Sequence, residues 1–122
     1  MVSGIGADLC SIERMKRALT SQHFRDRVFS PEEISYCESK GVHRYESYAG
    51  GFAAREAFCK ASGKSLHSVM FGGNFALIHT DGAPSIRLTG GLVIPSAKIF
   101  VSITHEEDYA LAFVVIDKKE GE

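Results

Sequence analysis

Three groups of polar residues in apolar surroundings could carry chemistry. Asp8 lies near the end of the predicted strand Gly4-Ile5-Gly6-Ala7-Asp8-Leu9. Glu56 and Lys60 lie one helical turn apart, and Ser102-Ile103-Thr104-His105 closes a strand. Two carboxylates from separate elements could hold one Mg²⁺, which needs only one or two carboxylates beside substrate phosphates. A lysine one turn along could neutralise a phosphoryl leaving group. The grouping therefore favours metal-assisted phosphoryl transfer.

Each group also has a structural interpretation. Glutamate and lysine four residues apart form the commonest helical ion pair, and the spacing of Glu56 and Lys60 alone favours that pair. Asp8 could equally cap a turn. His105 precedes Glu106-Glu107-Asp108 and is not part of an HExxH motif, so it could be structural. Spacing alone leaves an enzyme and a binding domain both open.

One long helix has to position the central pair. It is predicted to begin near Val42 or His43 and to end at Ser62, with Gly63 in the left-handed position after it. One stripe of the helix carries the small residues Ala53, Ala57 and Ala61, which predict close packing against another element. The stripe that carries Glu56 continues with the basic residues Lys60 and Lys64. The pair Gly50-Gly51 indicates close approach of another backbone or a ligand. Arg55 is expected to face solvent or an interface.

The remaining elements predict an α+β fold, with an antiparallel sheet packed against the long helix. Ser11 caps a helix after a first strand, and Ser30-Pro31-Glu32-Glu33 is a capping box that begins a helix ending near Lys40. The predicted strands are Val2 to Leu9, Phe75 to His79, Ser85 to Thr89, Ala97 to His105 and Tyr109 to Ile116. The tail from Asp117 to Glu122 is polar and expected to fray.

Length and composition indicate one ordinary domain over residues 1–122. The net charge of -1 and the charged fraction of 24% give no sign of a nucleic-acid or membrane binder. No signal peptide or spanning segment is recognisable. Three widely spaced cysteines are interpreted as reduced thiols of a cytoplasmic protein: Cys10, Cys37 and Cys59. Residues 14–27 hold five bases and one acid, which suits either an acidic partner or a solvated helix face.

Three stretches, in order, resemble the motifs of the holo-acyl-carrier-protein synthases, the small bacterial type of the 4′-phosphopantetheinyl transferase superfamily. They are Gly4-Ile5-Gly6-Ala7-Asp8-Leu9 with Ile12 and Arg14; Phe52-Ala53-Ala54-Arg55-Glu56-Ala57 with Lys60, Ala61 and Gly63; and Ser102-Ile103-Thr104-His105 with Tyr109 and Ala110. Each motif alone is weak, whereas the ordered set is specific and spans essentially the whole chain.

The resemblance implies transfer of the phosphopantetheine arm of coenzyme A to a serine of apo-acyl carrier protein, with release of adenosine 3′,5′-bisphosphate. Asp8 and Glu56 correspond to the Mg²⁺ ligands, and Lys60 to a catalytic phosphate contact that can protonate the leaving group. Residues corresponding to the CoA site are Lys60, Gly63, Lys64, Ser65, Pro84, Thr104 and His105. Arg14 and Arg17 correspond to the carrier-docking helix, which suits an acidic carrier. The family also implies a homotrimer with sites between subunits.

The chain departs from the family pattern at four positions. Gly51 stands where relatives often have Arg, so the resemblance implies one cationic contact to CoA that Gly51 does not supply. Arg55 replaces a usual Lys, Thr104 a usual Ser, and Lys64 a usual Thr. Lys64 could supply the charge that Gly51 lacks. A non-catalytic module that binds carrier protein or nucleotide is the alternative function, and a transferase acting on secondary-metabolism carriers is a second one.

Overall fold

A computed structural model describes residues 1–119, and its element order is that of an α+β fold. The helices are α1 (Ile12–Ala18), α2 (Gln22–Val28), α3 (Pro31–Glu38), α4 (Arg44–Ser62) and α5 (Leu66–Phe71). The strands are β1 (Val2–Ser11), β2 (Phe75–Thr80), β3 (Ala83–Leu88), β4 (Ala97–His105) and β5 (Tyr109–Lys118). Two short 3₁₀ turns, Gly41–His43 and Gly90–Leu92, complete it. The predicted fold class is confirmed.

The strands form two antiparallel sheets, and α4 packs against the larger one. That sheet has the order β1-β5-β4, and its register places Asp8 opposite Ala112 and Ala112 opposite Ile103. The hairpin β2-β3 forms the second sheet and turns at Asp81 and Gly82, both with positive φ. Because side chains alternate along a strand, the even-numbered residues of β1 and β5 face α4.

Two glycines of β1 set the distance between that strand and α4. A Cβ atom on Gly6 would overlap the carbonyl oxygen of Ala57, and one on Gly4 would overlap that of Ala61. The small-residue stripe of α4 is therefore a close-packed contact, as predicted. The backbone approach predicted at Gly50-Gly51 was wrong, because side chains lie there instead: Ile103 against Gly50 and Phe29 against Gly51.

Arg55 is buried, and the prediction that it faces solvent or an interface was wrong. Its side chain is 0% exposed, and its guanidinium donates to both carboxylate oxygens of Glu33 at 2.9 and 2.7 Å. The rings of Phe29 and Phe75 lie 5.0 and 4.9 Å from the guanidinium carbon. A buried charge is tolerated only when it is paired and hydrogen-bonded, and Glu33 supplies that partner.

Other boundaries follow the sequence signals with small differences. The capping box at Ser30 is present, and Gly63 ends α4 in the left-handed conformation with φ of 74°. The long helix was expected to begin near Val42 or His43, but those residues form a 3₁₀ turn and α4 begins at Arg44. The prediction of fraying from Asp117 was wrong, since Asp117 pairs with Lys98 inside β5. Residues 120–122 of that tail lie outside the described part.

The face of the larger sheet that points away from α4 is apolar. We call it the outer face, and five of its large side chains are between 43% and 61% exposed: Ile5, Leu9, Phe100, Tyr109 and Phe113. An exposed apolar patch of this kind marks an interaction surface more often than it marks bare surface. Within residues 1–119, no helix has the length and apolar character to cross a membrane.

Candidate active site

The first predicted group and the central pair come together where β1 runs past α4. Asp8 lies on the side of β1 that faces the helix, and Glu56 and Lys60 occupy successive turns of α4. The glycines of β1 allow this, because the strand backbone can then lie directly on the helix. A cavity of about 550 Å³ opens beside both carboxylates. We call it the carboxylate cavity.

Lys60 pairs with Asp8 rather than with Glu56, its neighbour on the helix. Its ammonium lies 3.5 Å from Oδ2 of Asp8 and donates to the carbonyl of Ala7 at 3.2 Å. The other oxygen of Asp8, Oδ1, accepts from the backbone N–H of Leu9 at 2.8 Å. The side chain of Asp8 is thereby fixed at both oxygens. The ordinary helical pair of Glu56 and Lys60 is therefore the weaker interpretation.

The surroundings of Glu56 disfavour the charged form of its carboxyl group. Burial raises the pKa of its carboxyl above the ordinary value, and the neighbouring Asp8 raises the pKa further through like charge and hydrogen bonding. Lys60 and Arg14 act in the opposite direction and leave a net upward shift. Two close carboxylates with such a shift are a site that gains from a bound cation.

The walls of the carboxylate cavity combine one base with apolar side chains. Arg14 lies at its rim, and Met15, Ala18, Phe24 and Phe52 line it. The rings of Phe24 and Phe52 lie 6.2 Å apart and join α2 to α4. Cys10 also faces the cavity, and burial together with Glu56 raises the pKa of its thiol to about 11, so it stays protonated at neutral pH.

The basic run from residue 14 to 27 divides between two helices and two roles. Arg25 pairs with Asp26 at 3.1 Å, and the guanidinium carbon of Arg27 lies 4.3 Å from the ring centre of Phe71. Arg14 and Arg17 are both exposed on α1, and Arg14 lines the carboxylate cavity. The two bases predicted to dock a carrier are therefore exposed on the helix that borders the cavity, whereas Arg25 and Arg27 have partners in the chain.

His105 and Pro84 meet in a second cavity of about 180 Å³, which we call the histidine groove. His79 of β2 and Glu46 of α4 also line it. Nδ1 of His105 lies 3.7 Å from a carboxylate oxygen of Glu46. Burial lowers the pKa of His79, whose ring stacks on Tyr36 with centres 3.9 Å apart.

The other residues predicted to bind CoA lie apart from these cavities. Thr104 is on the outer face of the sheet, because it alternates with Ile103 and His105. The ammonium of Lys64 donates to the carbonyl of Gly91 at 3.2 Å and lines a third cavity of about 310 Å³. Gly63 ends α4, and Ser65 caps α5. One chain thus unites Asp8, Glu56 and Lys60, but not Thr104 or Lys64 with them.

Sequence reasoning missed Phe24, Glu46 and His79 as cavity residues. A local signal for the helix that carries Phe24 was present in the sequence. Ser21 is the N-cap of α2, and its hydroxyl accepts from the backbone N–H of Phe24, in the way that Ser11 and Ser30 cap the starts of α1 and α3. Glu46 and His79 carry no local signal, because their role depends on how α4 meets the hairpin.

The fold and site together define a class of protein. A pair of stressed carboxylates and a lysine, set in an α+β frame, suit an enzyme that handles phosphorylated substrates. Residues 4–114 match the family model described as the 4′-phosphopantetheinyl transferase superfamily.

Among curated relatives, the holo-[acyl-carrier-protein] synthase of Cytophaga hutchinsonii is 40% identical, with 97% of this chain and 99% of that protein covered. The holo-(acyl-carrier-protein) synthase of Bacillus anthracis, solved in complex with CoA (3′,5′-ADP), aligns with a TM-score of 0.83 at 27% identity, over 98% of this chain and 99% of that one. The Neisseria meningitidis synthase aligns with a TM-score of 0.81 at 32% identity, over 97% and 100%. The chain belongs to the 4′-phosphopantetheinyl transferase superfamily and is an enzyme of the holo-[acyl-carrier-protein] synthase type.

Proposed function

We propose that this enzyme transfers 4′-phosphopantetheine from coenzyme A to a serine of an apo-acyl carrier protein. The serine oxygen forms a bond to the phosphorus that carries the pantetheine arm, and the bond to adenosine 3′,5′-bisphosphate breaks. The observation that carries the proposal is that Asp8 and Glu56 line one cavity while Lys60 pairs with Asp8 beside it. Lys60 is the cation beside the departing phosphate, where negative charge grows in the transition state.

Asp8 and Glu56 fit a divalent cation of the Mg²⁺ kind. The raised pKa of Glu56 arises partly from Asp8, so a bound cation would relieve the repulsion between them. Within residues 1–119, no cluster of three or more potential His, Cys, Asp or Glu ligands exists, and Mg²⁺ needs only one or two carboxylates beside phosphate oxygens. When bound there, Mg²⁺ would neutralise charge on the pyrophosphate of CoA.

The carrier protein is proposed to dock at the rim of the carboxylate cavity. Arg14 and Arg17 would attract its acidic surface, and the apolar wall formed by Ala18, Phe24 and Phe52 would take its apolar residues. The total charge of -1 hides this local basic patch. Docking here would bring the carrier serine to Asp8 and Glu56.

A homotrimer with sites between subunits is proposed from two features of the larger sheet. Its outer face exposes large apolar side chains that a partner copy would cover. Thr104 also lies on that face and away from Asp8, so Thr104 could reach a CoA molecule bound to a neighbouring copy. A cytoplasmic location is proposed as well, since Cys10, Cys37 and Cys59 are free thiols.

Mass spectrometry of the carrier tests the proposal. Apo-carrier incubated with CoA, Mg²⁺ and this protein should gain one phosphopantetheine group. Asp8→Asn and Glu56→Gln, which keep side-chain size, should each lower the rate by about 100-fold or more. Glu32→Gln is the matched control, because Glu32 pairs with Arg87 at the surface, and its rate should be unchanged.

Two results would count against the proposal. If the cognate carrier gains no mass but still binds, the chain is a non-catalytic carrier-binding module. If mass is gained and either Asp8→Asn or Glu56→Gln keeps full activity, the two-carboxylate metal site is wrong although transfer stands. A panel of carriers would separate fatty-acid carriers from those of secondary metabolism.

A further inference from the structure

Glu46 lies between two imidazole rings at the mouth of the histidine groove. One carboxylate oxygen is 3.4 Å from Nδ1 of His43, and the other is 3.7 Å from Nδ1 of His105. Glu46 is 30% exposed and His105 is 52% exposed. The three residues come from the start of α4, the 3₁₀ turn before it and the end of β4, so the contact ties the helix to the sheet.

The contact has a chemical consequence for His105. In a neutral imidazole only one of the two ring nitrogens carries a proton. The groups beside Nδ1 and Nε2 determine which of the two it is. At 3.7 Å the Glu46 carboxylate is an electrostatic neighbour of Nδ1 rather than a hydrogen-bond acceptor, and its negative charge favours the tautomer with the proton on Nδ1. Nε2 then points away from Glu46 with its lone pair free, and within residues 1–119 it has no hydrogen-bond partner. His105 lines the groove together with His79 and Pro84.

We propose that Glu46 is a positioning residue for His105: its charge biases the tautomer and the ring orientation so that Nε2 is presented to CoA in the histidine groove. The assignment of CoA as the ligand rests on the proposed function, whereas the tautomer does not. His43 shares the same carboxylate and contributes to its placement. The other charged or titratable groups near His105 are His79 across the groove and the acidic turn Glu106-Glu107-Asp108 that follows it.

The first experiment reads the tautomer directly in the free protein. Long-range ¹⁵N–¹H NMR at about pH 8, where an ordinary imidazole is neutral, should show His105 protonated at Nδ1. In Glu46→Ala the ring should move toward protonation at Nε2. Glu32→Ala is the control, since Glu32 also lies in the first turn of its helix and is ion-paired, and it should leave His105 unchanged. The same His105 tautomer in the parent protein and in Glu46→Ala would overturn the proposal.

The second experiment is a double-mutant cycle on the KM for CoA. Glu46→Ala should raise the KM about fivefold with kcat changed less than about twofold, and His105→Gln should also raise the KM. In the His105→Gln background, Glu46→Ala should add almost nothing, because Glu46 acts through that ring. An equal factor in both backgrounds would show an independent role and overturn the inference. If the parent protein shows no transfer at all, the proposed function fails and the tautomer measurement decides this inference alone.

Discussion

Glu56 lies in a place where the fold disfavours the charged form of its carboxyl group. Its pKa is raised, chiefly by burial and then by Asp8, so the folded protein holds the carboxyl proton more tightly than the unfolded chain does. The stability linked to that proton is present below the unfolded pKa of about 4.3 and is lost as pH rises through the folded pKa. The charged form of Glu56 therefore lowers the stability of the fold at pH values above that folded pKa.

Glu56→Gln should accordingly stabilise the protein while it abolishes transfer, which is the usual conflict between stability and function at a site. In EDTA at pH 7 we expect its Tm to lie on the order of 1–3 °C above that of the parent. Near pH 3 the two melting temperatures should converge, because both side chains are then neutral. A lower Tm for Glu56→Gln at pH 7 would show that its carboxylate stabilises the fold.

At the same scale, the chain could be interpreted only where residue type and spacing carried the information. Asp8, Glu56 and Lys60 were predictable as a group, but the pairing of Lys60 with Asp8 depends on how closely β1 lies on α4. Arg55 shows the limit more sharply. Nothing in its neighbours along the chain predicts burial, because its partner Glu33 lies on another helix and was already explained as a capping residue.

Among the elements, the contact between β1 and α4 determines the site. The strand carries Asp8, the helix carries Glu56 and Lys60, and the two glycines of β1 allow the contact. Helices and strands were predictable because capping serines, left-handed glycines and alternating strands are local signals. The helix α2 was missed although its cap is present. The distance between β1 and α4 could not be predicted, because a pair of glycines in the sequence does not reveal what will pack against it. Gly4 and Gly6 lie against the backbone of α4, whereas Gly50 and Gly51 lie against side chains.

Gly6→Ala tests whether the contact between β1 and α4 can accommodate one added methyl group. The added methyl group would overlap the carbonyl oxygen of Ala57, which is helix backbone and cannot rotate away. We expect a loss of about 1–3 kcal/mol in the free energy of unfolding and a marked fall in activity as Asp8 moves from Glu56. Urea denaturation measures the first and the transfer assay the second.

Gly91→Ala is the matched control for Gly6→Ala. A Cβ at Gly91 meets nothing within 4 Å, and its φ is outside the left-handed range. Its stability and activity should stay near those of the parent protein. Equal losses in the two variants would mean that the cost comes from removing any glycine rather than from the contact between β1 and α4.

For the whole molecule, the question is what covers the outer face of the larger sheet. Phe113 lies on the central strand β5, between Ala7 of β1 and Ser102 of β4, with exposed apolar neighbours on both sides. Covering these side chains would be favourable, because full burial of an exposed apolar side chain is worth about 1.5–3 kcal/mol and each of these is about half exposed, so each would gain roughly half of that. A face shared by identical copies, as proposed, would account for them and would also turn Thr104 toward a neighbour.

Phe113→Lys should therefore break the assembly without unfolding the protomer. In light scattering after gel filtration, the parent protein should give three times the 13.3 kDa protomer mass and Phe113→Lys the protomer mass. Transfer should fall with dissociation if Thr104 serves the site of a neighbouring copy. Phe71→Lys is the control, since Phe71 is 39% exposed on α5, away from the sheet, and its mass should match the parent. A parent protein that elutes as a monomer would leave the outer face without a partner copy and would remove the argument for sites between subunits.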